Sequence, residues 1–208
     1  MSYVFFDVGA NWGHDSLPIA RENPNAMVWA FEPTPELTTH LREQSANFAQ
    51  RYNIVEVALS DYDGTAKFGI SDQPGSDWGC SSLNTFNEGV DEKWPGFGGF
   101  GFTRHIDVKV MRLETWFNET KPEIEKIDFF HCDTQGSDLK VLQGMGEYIH
   151  LIQEGVVECA ADEEGKLYKE NHTLGETVRF LISKGFFITR IEANDRFGHE
   201  MNVTFRKK

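Results

Sequence analysis

Phe5-Phe6-Asp7-Val8-Gly9-Ala10-Asn11-Trp12-Gly13 is an apolar strand that runs straight into a tight turn with two glycines. Nineteen residues after Gly13, a second apolar run, Met27-Val28-Trp29-Ala30-Phe31, ends on an acid, Glu32. A nucleoside cofactor needs this geometry. Glycines let backbone approach the ligand closely, and the strand-end acid receives ribose hydroxyls. The spacing also fits nicotinamide dinucleotides, but their fingerprint needs a glycine where Asn11 stands. Asp7, just before the turn, offers a carboxylate to a cofactor that carries an ammonium. S-adenosylmethionine has that ammonium and no pyrophosphate.

Working outward, strand and helix alternate for most of the 208 residues, a length that suits one domain spanning 1–208. The periodicity predicts helices over 16–21, 36–50, 113–117, 137–142 and 174–183. It predicts strands over 54–59, 65–70, 106–110, 127–132, 155–159, 186–191 and 202–205. The last two strands are joined by a short Gly-containing loop, which forbids a parallel crossover, so they are expected to be antiparallel. The implied fold is α/β and Rossmann-like: a doubly wound, mostly parallel seven-stranded sheet with an antiparallel C-terminal strand. From Ser71 to His105 the pattern breaks into Gly, Ser, Asn and aromatics, and this inserted segment is the expected substrate side. Its run Trp94 to Phe102, WPGFGGFGF, suits either a sugar ring or packing on the protein's own core.

The formal charge of −13 argues against a nucleic-acid backbone or an anionic membrane surface as partner. Cys80, Cys132 and Cys159 form no C-x-x-C pair and read as reduced thiols of a cytoplasmic protein. Met1-Ser2-Tyr3 leads directly into the first core strand, so no signal peptide is expected, and no apolar run reaches the length of a membrane span.

Several segments together resemble the FkbM family of S-adenosylmethionine-dependent methyltransferases, almost end to end. DVGANWG is similar to the family's first motif and AFEPTPELTTHLRE to its second. EVALSDYDGTAKF resembles the third-strand segment, CSSLNTF a Ser-Ser-Leu stretch, and IDFFHCDTQGSDLKVLQGM the Lys-x-Asp-x-Glu-Gly-x-Glu block. VVECA and LYKENHTLGETVRFLISKGF resemble its last third. His131 stands at the usual Lys, Gln135 at a usual Glu and Asp138 at another. The resemblance implies a class I methyltransferase fold, S-adenosylmethionine as cofactor with S-adenosylhomocysteine as product, and a hydroxyl of a glycan or secondary metabolite as acceptor. A cofactor- and glycan-binding module without catalysis is the alternative.

Asp7, Gly9, Glu32, Asp133 and Glu158 all fall at or near strand ends, where ligands of open α/β sheets bind. Glu32 is expected on the ribose, and Asp7, Gly9, Ala10, Asn11 and Gly13 on the methionine part. Ala58 and Leu59 are expected to flank the adenine, with Asp133 a further cofactor contact. His131 and Asp133, two apart on one strand, share a face and are candidates for acid–base work. His131 reads equally as a buried, satisfied histidine. Glu158, at the end of the neighbouring strand, is the third catalytic candidate. Glu158, Asp133 and Asp162 have oxygen chemistry that suits magnesium, but their scatter leads us to expect no metal. The oligomeric state is not legible.

Overall fold

A computed structural model of the chain describes residues 2–73, 78–97 and 99–208. Residues 74–77 of the inserted segment, and Gly98 of its aromatic run, lie outside the described residues. The elements in chain order are β1 (Tyr3–Val8), α1 (Ser16–Glu22), β2 (Ala26–Phe31), α2 (Pro35–Gln44), β3 (Tyr52–Val55), β4 (Ala58–Leu59) and β5 (Gly64–Ile70). There follow α3 (Val90–Lys93), β6 (Arg104–Met111), α4 (Leu113–Thr120), β7 (Phe129–Cys132), α5 (Asp138–Gln143) and β8 (Glu154–Ala160). The chain closes with α6 (Leu174–Ser183), β9 (Phe186–Ala193) and β10 (Glu200–Lys207).

The main sheet has seven strands in the order β3-β2-β1-β7-β8-β10-β9. β10 runs antiparallel to both its neighbours, and the other pairings are parallel. Parallel strands are covered on both faces, and β1 shows it: Phe5, Phe6 and Val8 are all buried. Phe6 packs with Phe31, Trp116, Phe117 and Phe130 on one face. Phe5 lies on the other, in a core with Leu17, Ala20, Leu41 and Tyr52. Local chemistry sets the helix starts. Pro35 opens α2 with its fixed φ, and Thr173 and Glu176 form a reciprocal capping box at α6.

Three expectations need correction. The predicted 54–59 strand divides, because Val57 N–H turns back onto the Val55 carbonyl (3.0 Å) and sends Ala58–Leu59 away from the main sheet. β4 instead joins β6 and β5 in a separate three-stranded sheet. The predicted 36–50 helix ends at Gln44, and Phe48, at φ −141° and ψ 28°, is not helical. Ile127, placed at the start of a strand, makes only an isolated bridge to Ile152. The inserted segment carries structure of its own: α3, an isolated bridge from Ser82 to Gly69, and another from Phe86 to Tyr168.

Among the described residues, no helix is long and apolar enough to cross a membrane.

Candidate active site

A cavity of about 370 Å³ opens at the carboxyl ends of β1, β2, β7 and β8. The turn after β1 makes its floor. Gly9 adopts φ +83°, and a Cβ there would sit 1.8 Å from the Asp133 carbonyl oxygen. Only glycine lets β1 and the end of β7 approach so closely. Asn11 follows at φ +48°, a left-handed conformation that asparagine tolerates. The N–H groups of Gly9 and Ala10 both reach the Phe31 carbonyl, at 3.0 and 3.1 Å. This fastens the turn to β2.

Glu32 stands one residue beyond β2, 5% exposed, and lines the cavity. One carboxylate oxygen accepts the Asn11 N–H (3.0 Å), and the other accepts the Thr34 N–H (2.9 Å). Burial raises its pKa, and these N–H groups pull it back. Each oxygen keeps a lone pair for a ligand hydroxyl. Val57, Ala58 and Leu59 form the apolar wall beside it. The division of the predicted strand is what brings Ala58 and Leu59 here.

Gly13 is placed differently from the expectation. It lies outside the cavity lining, and a Cβ there would strike Leu41 and Leu17 at 2.6 and 2.8 Å. Its task is helix packing. Asp7 also lies beneath the lining, 1% exposed. It pairs in register with His131 across β1 and β7, and one Asp7 oxygen is 3.0 Å from His131 Nδ1. His131 itself lines the cavity. Burial opposes a charge on the imidazole. The hydrogen bond and charge of Asp7, with Asp15 and Asp133 nearby, outweigh burial and push the pKa up to about 9. The shift favours the imidazolium form.

Asp133 and Glu158 meet as their strand ends imply. Gln135, at φ +54°, donates from Nε2 to Asp133 (2.7 Å) and to Glu158 (3.4 Å). Asn194 donates to the other Glu158 oxygen. Burial raises the pKa of Asp133, against the Gln135 amide and His131. Burial also raises that of Glu158 well above its usual range, helped by Asp133, Glu200 and Asp138. Glu200, on β10, is pushed up to about 8 by burial and by Asp133, Asp195 and Asp138. Glu200 and Asn194 both line the cavity and are absent from the sequence reading. No local motif marks them. They arrive because β10 pairs antiparallel with β8, placing Glu200 opposite Ala160 and diagonal to Glu158.

The inserted segment supplies the far wall through Trp78, Trp94, Phe97 and Phe100. It docks on the turn after β7: Ser82 Oγ donates to the Gln135 carbonyl (2.6 Å), and Asn84 donates to the same oxygen (3.1 Å). One ring of the aromatic run is core, and two more pack against it half-buried. Trp94 is 2% exposed and packs with Phe86, Phe100, Phe102, Leu167 and Tyr168, whereas Phe97 is 61% exposed. Asp162 caps the Gly165 N–H and does not line the cavity. Among the described residues, no three His, Cys, Asp or Glu side chains are grouped to hold a metal ion.

A model of the Methyltransferase FkbM domain matches residues 7–188. Methyltransferase sdnD of Sordaria araneosa is 29% identical over 205 residues, which covers 90% of this chain and 74% of that protein. Among solved structures, a methyltransferase FkbM from Methylobacillus flagellatus KT superposes with a TM-score of 0.59 at 14% identity. That match covers 98% of this chain but only 43% of the other. TrmK of M. capricolum, in complex with S-adenosyl-homocysteine, gives a TM-score of 0.52 at 11% identity, covering the whole of this chain and 63% of the other. At these identities the two structures speak to the fold, a class I methyltransferase sheet. With the family match spanning most of the sequence, the chain belongs to the FkbM family of methyltransferases.

Proposed function

We propose that this methyltransferase uses S-adenosylmethionine to methylate a hydroxyl of a small acceptor, a glycan or secondary metabolite. One observation carries the cofactor assignment. Glu32 presents its carboxylate to the cavity while accepting Asn11 N–H from the Gly9 turn, so ribose acid and close-approach turn form one unit. The cradle fits the group. The Gly9 turn lies against the end of β7 with no room for a Cβ, Asn11 Oδ1 is buried with no partner, and Ala58 and Leu59 offer an apolar slot for a base.

When bound, S-adenosylmethionine supplies a methyl group on a sulfonium, whose bonding pair returns to sulfur as the methyl leaves. The chain has three tasks. Glu32 receives ribose hydroxyls, and the Gly9–Asn11 backbone shapes the channel. Gln135 holds Asp133 and Glu158 beside the acceptor, and one of these carboxylates takes the hydroxyl proton as the new O–C bond forms. Aromatic side chains of the insertion line the far side of the site, and positioning and desolvation supply much of the rate. An uncharged or cationic acceptor is favoured, because no Lys or Arg lines the cavity while Asp15, Asp133, Glu158 and Glu200 do. This speaks against nucleic-acid and anionic-lipid partners. Cys132 and Cys159 are buried thiols, which suits the reducing cytoplasm.

Calorimetry with S-adenosylhomocysteine and with NAD tests this reading. Binding of the former alone is expected, and Glu32→Ala is expected to weaken it by about 1–3 kcal/mol. Binding of NAD alone overturns it.

A further inference from the structure

We infer that His131 is the anchor for the carboxylate at the methionine end of the cofactor, with Asp7 holding the imidazole in place from below. The inference rests on the cofactor reading above.

Three features of the geometry carry it. First, Asp7 is almost fully buried and, among the described residues, its only hydrogen-bond partner is His131; its second oxygen has none. A carboxylate in that setting needs the positive ring beside it. Second, the ring is spent on one side only. Nδ1 faces Asp7, while Nε2 has its nearest carboxylate oxygen, on Asp15, at 3.9 Å, outside hydrogen-bond reach. That N–H is available to the cavity, which His131 lines. Third, among the described residues the cavity has no Lys or Arg in its walls, so His131, paired with Asp7, is where it offers an anion a charge-assisted N–H. A zwitterionic ligand brings a carboxylate that needs one.

The position agrees. Glu32 follows β2 and His131 lies on β7, with β1 between them. Two strand spacings separate the ribose acid from the imidazole, about 10 Å, across the Gly9 turn. A cofactor laid with its ribose on Glu32 and its sulfur over the turn therefore carries its amino-acid end toward His131. The groups that face the ring are Asp7 from β1, Asp15 from the turn before α1, and Asp133 from the end of β7. All are acidic. They favour a charged ring, and they leave Asp15 beside the anchor for the cofactor's ammonium. This role also takes His131 away from proton abstraction, because with Nδ1 facing Asp7 and Nε2–H on the ligand carboxylate neither ring nitrogen is open to a proton.

The test is calorimetry with two ligands on three proteins. One ligand is S-adenosylhomocysteine. The other is decarboxylated S-adenosylhomocysteine, which keeps the amine and lacks only the carboxylate. His131→Gln is expected to weaken the first by about 10- to 100-fold, the scale of a charge-assisted hydrogen bond. It is expected to leave the second within about threefold. His131→Lys keeps a cation opposite Asp7 and is expected to restore the preference for the carboxylate. It also carries the comparison if His131→Gln does not fold. Equal loss for both ligands in either variant, or no loss of S-adenosylhomocysteine affinity in His131→Gln, overturns the inference while the cofactor reading stands. Failure of the wild type to bind either ligand overturns both.

Discussion

On the β1–β2 side the cavity wall is backbone and short side chains, held by hydrogen bonds that span a few residues or two neighbouring strands. Gly9, Ala10 and Asn11 are all fastened to Phe31 or Glu32. On the insertion side the wall is rings held by other rings. Phe86 stacks on Phe102 at 4.6 Å and Tyr168 at 5.0 Å, and Trp94 meets His199 at 4.8 Å. The first wall tolerates almost no change of shape, because steric contact and hydrogen-bond geometry specify it. The second is specified mainly by volume, which several sets of side chains satisfy. The shape of the first wall is thereby fixed, and that of the second is free to vary.

The sharpest break in this comparison is Gly9→Ala. The new methyl would need to displace the Asp133 carbonyl from 1.8 Å, at a φ that alanine avoids. β1 and the end of β7 must part. A stability loss above about 4 kcal/mol is expected, together with loss of S-adenosylhomocysteine binding. Denaturant unfolding and calorimetry measure both. If Gly9→Ala binds like the wild type, close packing is not why glycine stands there.

Trp94→Ala addresses the other wall. Removing a buried indole costs about 3–5 kcal/mol, and the loss appears as a lower unfolding midpoint. Cofactor affinity, measured well below that midpoint, is expected to stay within about threefold, since the ring contact between the glycine turn and the insertion is Trp12 on Trp78, outside the Trp94 cluster. A large drop in affinity would mean that the ring cluster and the glycine turn are one cooperative unit.

The same contrast explains what was legible in the sequence. Gly9, Asn11 and Glu32 act within one strand–turn–helix–strand unit, so their spacing alone places them. Asp133 and Glu158 follow from strand ends. Gly13 sits in the same motif, but whether a glycine faces a ligand or a helix depends on what packs there, and Leu17 and Leu41 claim it. Trp94 and Phe97 are indistinguishable by composition, yet one is core and the other open to solvent. Glu200 and Asn194 had no sequence signal, because only the pairing of β10 with β8, with Glu158 and Glu200 42 positions apart, brings them to the cavity. His131 was visible as a titratable group. Its charge state was not, since that depends on Asp7, a partner on another strand.

Glu200→Gln sharpens the comparison through pH. The folded protein holds Glu200 at about 8 instead of the usual 4.5, mainly by burial. The raised value means that the unfolded chain ionises first. No penalty exists below about pH 4.5; it grows as pH rises and is complete above about 8. The variant is therefore expected to match the wild type in acid and to exceed its stability by on the order of 1–2 kcal/mol near pH 9. A pH series of unfolding midpoints checks it. The same difference at every pH would show that Glu200 titrates as an exposed acid.

Phe97→Ala has the smallest expected effect on folding and separates recognition from packing most cleanly. Phe97 stacks on Phe100 with centroids 5.5 Å apart, but 61% of the residue is open to solvent, and its ring faces the cavity mouth. Its removal takes little apolar surface out of the core, so stability is expected to change by less than about 0.5 kcal/mol, a midpoint shift within about 2 °C. Cofactor affinity is expected to remain as in the wild type. Transfer to the acceptor is where the ring matters, since an exposed aromatic at a cavity mouth is a surface for a sugar or an apolar ligand. With an acceptor found by screening glycans and small hydroxylated metabolites, KM is expected to rise several-fold while kcat holds, the pattern of lost ground-state binding. A fall in kcat at constant KM would instead place Phe97 against the reacting centre, and an unchanged KM would leave the ring as surface.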